Sequence, residues 1–171
     1  LLRVDPGFES DRVMTAEVAL SGERYSEDAG RREFYERALE EIESIPGVEA
    51  AGTVYPLPLF GRRISTQAYV EGAPGPRPDA ERPLVELRFV SPGYLDAAGI
   101  DLVSGRFFDE SDTADSTPVV VVNESFVRQL VPHGAPVGRR TTGADPADPE
   151  APWDTIVGVV RDVRHIDLAE R

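Results

Sequence analysis

The sequence of 171 residues contains no cysteine and no lysine. The first absence removes disulfides, thiol nucleophiles and cysteine metal sites together. It is compatible with an oxidising compartment without pointing to one. The second removes Schiff-base chemistry and the phosphate-binding lysine of a P-loop. All 18 basic residues are therefore arginine, which we read as genome composition. No apolar run approaches the roughly 18 residues that cross a bilayer, and no signal peptide is visible. Positive charge is scarce as well. The net charge of −13 argues against nucleic acid as a partner, because phosphates demand a basic patch. It also argues against anionic lipid headgroups.

What remains is ordinary globular material, with 40% hydrophobic and 29% charged residues. The length suits one domain over 1–171, or two small lobes dividing near residue 90, about 1–90 and 91–171. The chain opens at "LLRVDPGF" without Met, as a segment of a longer polypeptide would.

Periodicity predicts the elements. "VMTAEVAL" (13–20) alternates and reads as a strand. Residues 27–45 carry Phe34, Ala38, Ile42 and Ile45 at helical spacing, widened by Tyr35 and Leu39, with Ser26 as N-cap and Pro46-Gly47 as the stop. Residues 48–54, 64–72 and 84–90 read as strands, and 55–63 and 73–83 as Pro-rich connections. "SPGYLDAAGI" (91–100) is a short helix with Ser91 as cap, Pro92 at its first position and Gly99 beyond its end. Residues 100–108 read as a strand and "DESDTADST" (109–117) as an acidic loop. "PVVVV" is a buried strand that runs into Asn123, the cap of a helix over 124–131. "GAPVGRR" (134–140) turns back, 142–152 is an acidic loop, and 153–165 is a final strand kinked at Gly158. Three helices end at a glycine that leads back to an apolar residue (Gly47, Gly99 and Gly134). Short helices among many strands predict an α+β fold, with mixed β-sheets and short helices packed on one face. A doubly wound nucleotide fold would need longer, regularly alternating helices.

No catalytic constellation emerges. Asn123, between strand and helix, could face a ligand, but no Gly-rich loop precedes it, so it reads as a cap. His133 and His165 have no G-x-S-x-G serine to serve and read as surface or turn residues. A calcium loop started at Asp109 places Ser111, Thr113 and Asp115 at alternate positions. It then meets Ala114 where glycine is required and Val120 where glutamate is required. Asp145, Asp148, Glu150 and Asp154 are spaced by prolines, as in a solvated loop. Glu40 and Glu41 lie on the polar helix face. The two glycines and two arginines of 134–140 lack P-loop spacing. No residue is assigned as catalytic, cofactor-binding or metal-ligating, no cofactor is expected, and the chain is not read as an enzyme.

The order of its segments is nevertheless specific. "RVDPGFESDRVMTAEVAL", "RY", "FYERALEEIESIPGVEAAG", "LPLFG", "VEGAPGP", "VSPGYLDAAGIDLVSGRFFDESD", "PVVVVNESFVRQLVPHGAPVGRR" and "PWDTIVGVVRDVRH" follow one another in register. Together they cover nearly the whole chain, which resembles the MacB-like extracytoplasmic core domain of ABC-transporter permeases, in particular the duplicated permeases related to MacB and FtsX. The resemblance implies a domain built from small β-α-β subdomains. It would sit at the cell membrane on the periplasmic or external side, between the first and second membrane helices of a permease. Its implied partners are the transmembrane helices of its own parent permease, a separate ATP-binding subunit in the cytoplasm and extracytoplasmic partner proteins. The implied role is non-enzymatic, passing conformational change between membrane helices and external substrate or partners. Two rivals remain on residue chemistry alone. One is a stand-alone extracytoplasmic ligand-binding or adhesion module, which needs an apolar pocket. The other is a hydrolase built on a histidine and a carboxylate.

Overall fold

The computed structural model describes residue 7 and residues 12–58, 63–73 and 83–163. A 3-10 turn at Glu23–Tyr25 leads into α1, Asp28–Glu43. Six short strands follow, interrupted by one helix: β1 Val54–Tyr55, β2 Ser65–Gln67, β3 Tyr69–Val70, β4 Leu84–Glu86, β5 Phe89–Val90, α2 Tyr94–Ala98 and β6 Leu102–Gly105. The chain then builds β7 Val119–Asn123, α3 Glu124–Leu130, β8 Arg140–Thr142 and β9 Asp154–Val160. Two antiparallel ribbons, β1–β5 and β2–β4, accompany a five-stranded mixed sheet. The α+β expectation therefore holds.

The organising element of the sheet is β9. β7 runs parallel to it along nearly its full length, from Val119 opposite Thr155 to Asn123 opposite Val160. A strand has two edges, so the two antiparallel neighbours must share the other one. β8 takes the first half at Asp154 and Thr155, and β6 the second half at Gly158 to Val160. β3 extends the sheet beyond β8. The β7–α3–β9 crossover is a β-α-β unit with β8 inserted before the return.

One residue of β9 has no opposite number on β7. Val120 pairs with Ile156 and Val121 with Gly158, which leaves Val157 as a bulge. The kink expected at Gly158 lies at this point. A Cβ on Gly158 would meet the carbonyl oxygen of Arg106 at 2.0 Å, so no side chain fits where this backbone passes. The extra residue also shifts the side-chain alternation. Ile156 and Val159, three apart, both enter the core.

That core is formed by Ala68, Val70, Val122, Phe126, Val131, Ile156 and Val159, with Val85, Val120, Val127 and Leu130 packed around it. Ile156 is fully buried. α3 is short but lies on this core through Phe126. α1 behaves differently. Its apolar stripe is real, but none of its residues is buried. Phe34 meets Tyr25 and Tyr35 edge to face at 5.7 and 5.4 Å.

Several local expectations are corrected. Among the described residues, 13–20 join no ladder, and 48–54 contributes only Val54 to a strand, whose second residue, Tyr55, lies in the expected loop. The strands expected over 64–72 and 84–90 are each broken in two. Ser26 does not cap α1. Its hydroxyl donates to the Glu23 carbonyl at 2.7 Å, and Glu27 occupies the cap position. Ser91 spends its hydroxyl oxygen accepting from the Thr53 N–H at 2.9 Å, which ties two distant segments together instead of capping α2.

Of the three glycine stops only Gly99 is the cap of its helix; α1 ends at Ser44 and α3 at Val131, before Gly47 and Gly134. Gly47, Gly99 and Gly134 all have positive φ. At Gly99 (φ 60°) the Ile100 N–H reaches the Leu95 carbonyl at 2.9 Å and the Gly99 N–H reaches Asp96 at 3.2 Å. This is the six-to-one and five-to-two closure of a Schellman stop, and Leu95 and Ile100 are both buried.

Candidate functional site

The strand-to-helix junction at Asn123 is the place where a ligand would find exposed helix donors. The protein uses those donors itself. The Asn123 side chain accepts from the Phe126 N–H at 3.0 Å, as expected of a cap. Asp162, just beyond β9, supplies a second acceptor. Its carboxylate takes the Ser125 N–H and the Ser125 hydroxyl, each at 2.8 Å, and the Arg128 guanidinium at 2.6 Å. Burial alone would raise the Asp162 pKa, but the bonds from Arg128 and Ser125 outweigh it and hold the group below the ordinary carboxylate value. A negative charge already sits at the positive end of α3. The junction is an internally closed clamp between β9 and α3.

The acidic loop is closed in the same manner. The Arg106 guanidinium donates to both Asp112 oxygens, at 2.6 and 2.8 Å, and to Asp109 at 3.3 Å. The Asp109 N–H donates to Asp112 at 3.0 Å. The Arg106 hydrogen bond is the main cause that lowers Asp112 to about 2, with the Asp109 N–H adding to it. Asp109 in turn accepts from the Ser111 N–H and hydroxyl. An arginine therefore occupies the place that the calcium-loop alignment reserved for a cation.

The remaining candidates are dispersed. His133 is exposed, and its carbonyl accepts from Arg139 at 3.0 Å. His165 lies outside the described residues. Asp145 and Asp148 accept from the N–H groups of Ala147 and Glu150, at 3.0 and 2.9 Å, the turn geometry expected of such loops. Burial raises the Asp154 pKa. Glu40 and Glu41 are exposed on α1. Arg140, from the 134–140 turn, grips Glu71 with two nitrogens and lies 5.4 Å from the centre of the Trp153 ring. Among the described residues, no group of three or more His, Asp or Glu side chains is placed to hold a metal ion. No helix among them is long and apolar enough to cross a membrane. Among the described residues, a shallow depression of about 260 Å³ lies beside Tyr25 and Phe34 and one of about 100 Å³ beside Val131 and His133.

Sequence reasoning missed both clamps. Asp162 lies 37 residues from its partner Ser125, and no local spacing announces that pair. The Arg106–Asp112 pair is nearer, but the pattern R-x5-D is too common to carry a signal.

Comparison with known proteins supplies what side-chain chemistry does not. The model of the MacB-like periplasmic core domain family matches residues 2–167. Similar solved structures include a domain of a putative permease protein from Porphyromonas gingivalis, at 25% identity, with 75% of this chain and 45% of that one covered and a TM-score of 0.46. The periplasmic region of MacB from Actinobacillus actinomycetemcomitans has 17% identity, coverages of 76% and 51% and a TM-score of 0.50. The extracellular domain of the noncanonic ABC-type transporter YknZ from Gram-positive bacteria has 16% identity, coverages of 74% and 57% and a TM-score of 0.42. The chain thus spans about half the length of these solved chains. No curated protein matches it. On the family match over almost all of its length, the chain belongs to the MacB-like periplasmic core domains, the extracytoplasmic parts of ABC-transporter permeases.

Proposed function

We propose that this domain is a non-enzymatic coupling element. It takes up movement of the membrane helices of its parent permease and passes it to a substrate or partner protein outside the membrane. The family match over residues 2–167 carries this reading. The geometry supports it in one respect. β9 carries β7 on one edge and both β8 and β6 on the other, and Asp162 ties the end of β9 to α3. A displacement applied at either end of β9 would move the sheet and its helix as one body, as rigid-body transmission requires. A separate ATP-binding subunit in the cytoplasm would supply the energy.

The binding-module reading gains no support. Ligand sites are typically about 300–1,000 Å³ and largely apolar, and the depressions described above are smaller, each with arginine in its lining.

The test uses the natural polypeptide that contains this chain, with a reporter active only outside the cytoplasm inserted in the loop 143–152. We expect a membrane-bound, active reporter. A silent reporter in a soluble fraction would overturn the proposal. Transmission is tested by labelling the same loop and measuring its energy-transfer distance to a cytoplasmic label while the co-expressed ATP-binding subunit turns over. A distance that does not change with ATP removes the coupling role and leaves the location intact.

A further inference from the structure

β9 ends at Val160, so no ladder fixes Asp162 beyond it. Its place is set by contacts on two sides. On one, Arg161 donates its N–H to the Asp101 carbonyl at 3.0 Å, and its guanidinium lies 3.0 Å from the Asp101 carboxylate. On the other, the chain passes at Gly7. A Cβ built on Gly7 would lie 2.2 Å from the Asp162 carbonyl oxygen and 3.1 Å from the Val163 Cα. Gly7 also has φ 81°, which favours glycine. Backbone conformation and close approach thus both demand glycine at this crossing.

Asp162 faces two ways. Its main chain lies against Gly7, while its carboxylate holds the Ser125 N–H, the Ser125 hydroxyl and Arg128 at the start of α3. There is little slack between the two. A side-chain carbon keeps 3.0 Å or more from such an oxygen. Gly7→Ala would therefore force the crossing apart by about 1 Å, and a 2.8 Å bond stretched that far is no longer a hydrogen bond. The Arg106–Asp112 clamp offers no such link, because it lies within one loop.

We infer that Gly7 and Asp162 form a joint through which movement of the chain at residue 7 reaches α3. This rests on the coupling role proposed above and adds the point at which movement is handed on. Asp162 is a positioning residue. With the crossing seated, its carboxylate closes the first turn of α3. With the crossing drawn apart, Ser125 and Arg128 lose their acceptor together, and α3 is freed to shift on the sheet. Because α3 carries Phe126 in the core and leads through Val131 to the exposed His133, a small displacement at residue 7 is passed to the far end of the helix.

Hydrogen exchange tests this in the natural polypeptide, held in mild detergent. In Gly7→Ala we expect the Ser125 amide to exchange about tenfold or more faster, with the amides of β9 unchanged. Gly22→Ala is the control. Gly22 also has positive φ (104°), but among the described residues nothing beyond its chain neighbours lies within 4 Å of its Cβ position, so Ser125 should not respond. In an Asp162→Ala background the acceptor is already gone, and Gly7→Ala should add nothing at Ser125. Unchanged exchange at Ser125 in Gly7→Ala would overturn the inference, since the segment at residue 7 would then yield without moving Asp162. An equal response to Gly22→Ala, an equal quickening across β9, or an undiminished effect in the Asp162→Ala background would each overturn it too. Should Gly7→Ala fail to fold, the link is read in reverse. Asp162→Ala should then quicken exchange of the Gly7 amide, because coupling is reciprocal, and an unchanged Gly7 amide would overturn the inference. None of these readings needs ATP. A labelled loop that keeps its distance during turnover removes the coupling role alone, and an unresponsive Ser125 removes the joint alone.

Discussion

α1 and α3 make an instructive pair. α1 has 16 residues and α3 has seven. By intrinsic propensity the longer helix, rich in Glu, Arg and Ala, is the better one. Yet α3 is anchored: it places Phe126 in the core, its first turn is satisfied by Asn123 and Asp162, and Val127 and Leu130 pack against the sheet. α1 has a stripe but no side-chain N-cap, and none of its residues is buried. Helix stability in this domain follows what lies across from the stripe, not the length or composition of the helix. The same contrast separates β9, paired on both edges, from β1 and β5, which make a ribbon of two residue pairs.

Substitutions can break or sharpen this contrast. The largest effect is expected at Ile156, fully buried in the core with Val70, Val122, Phe126 and Val131. Ile156→Ala should cost about 2–5 kcal/mol, read as a lowered urea midpoint. If it costs no more than a surface change, the sheet is not the core of the molecule.

Next come the clamps at the start of α3. Asp162→Ala and Asn123→Ala should each cost about 1–2 kcal/mol, because each leaves a first-turn N–H without its acceptor. Amide exchange should quicken at Ser125 in the first variant and at Phe126 in the second. Exchange unchanged at both amides would show that the cap bonds do not hold the helix.

A pH titration gives a smaller, local effect. The Asp112 pKa, lowered from 3.8 to about 2, belongs to the folded state. A carboxylate depressed on folding adds stability above its unfolded value and loses it as pH falls through the folded one. The Arg106–Asp112 clamp should therefore stay closed from neutral pH to about 4 and open as pH approaches 2. NMR shifts of Asp109 to Thr113 should move together in that window. A transition centred near 4 would mean that the clamp is not formed in solution.

The smallest effect closes the comparison from the other side. Ile42→Ala on α1 should change the stability of this chain by no more than about 0.5 kcal/mol in the same urea experiment, as for an exposed residue. A loss comparable to that of Ile156→Ala would mean that the α1 face is already covered.

The sequence made the sheet-and-α3 region legible because its signals are local and agree with one another. Four valines, an asparagine cap and a seven-residue helix are consistent at every level, as are Gly99 and the return through Ile100. The α1 region was legible as a helix and illegible as packing, since a stripe records that a face wants cover without saying where the cover is. The strand expected at 13–20 failed for a related reason. Alternation is a property of one segment, whereas a ladder needs a second one. Ser26 and Ser91 each carry a cap-forming side chain that found a different partner, one three residues back and one 38 away. The permease assignment came from the order of whole segments, not from any side chain. That is as expected of a domain whose charged clusters, at Asp112 and at Asp162, are spent on holding its own loops.

The bulge at Val157 also bears on how this domain can vary in length. Ile156 and Val159 face the same side because one residue too many lies between them. Loss of Val157 would leave them two apart, still on one face, and every side chain before and after would keep its orientation. Loss of Gly158 would give the same spacing but move Val157 to the place where a Cβ meets the Arg106 carbonyl oxygen at 2.0 Å, and loss of a residue outside this pair would reverse the side chains that follow. Of the seven positions in the strand, Val157 is thus the one at which a deletion can pass without reversing the pattern or meeting that oxygen.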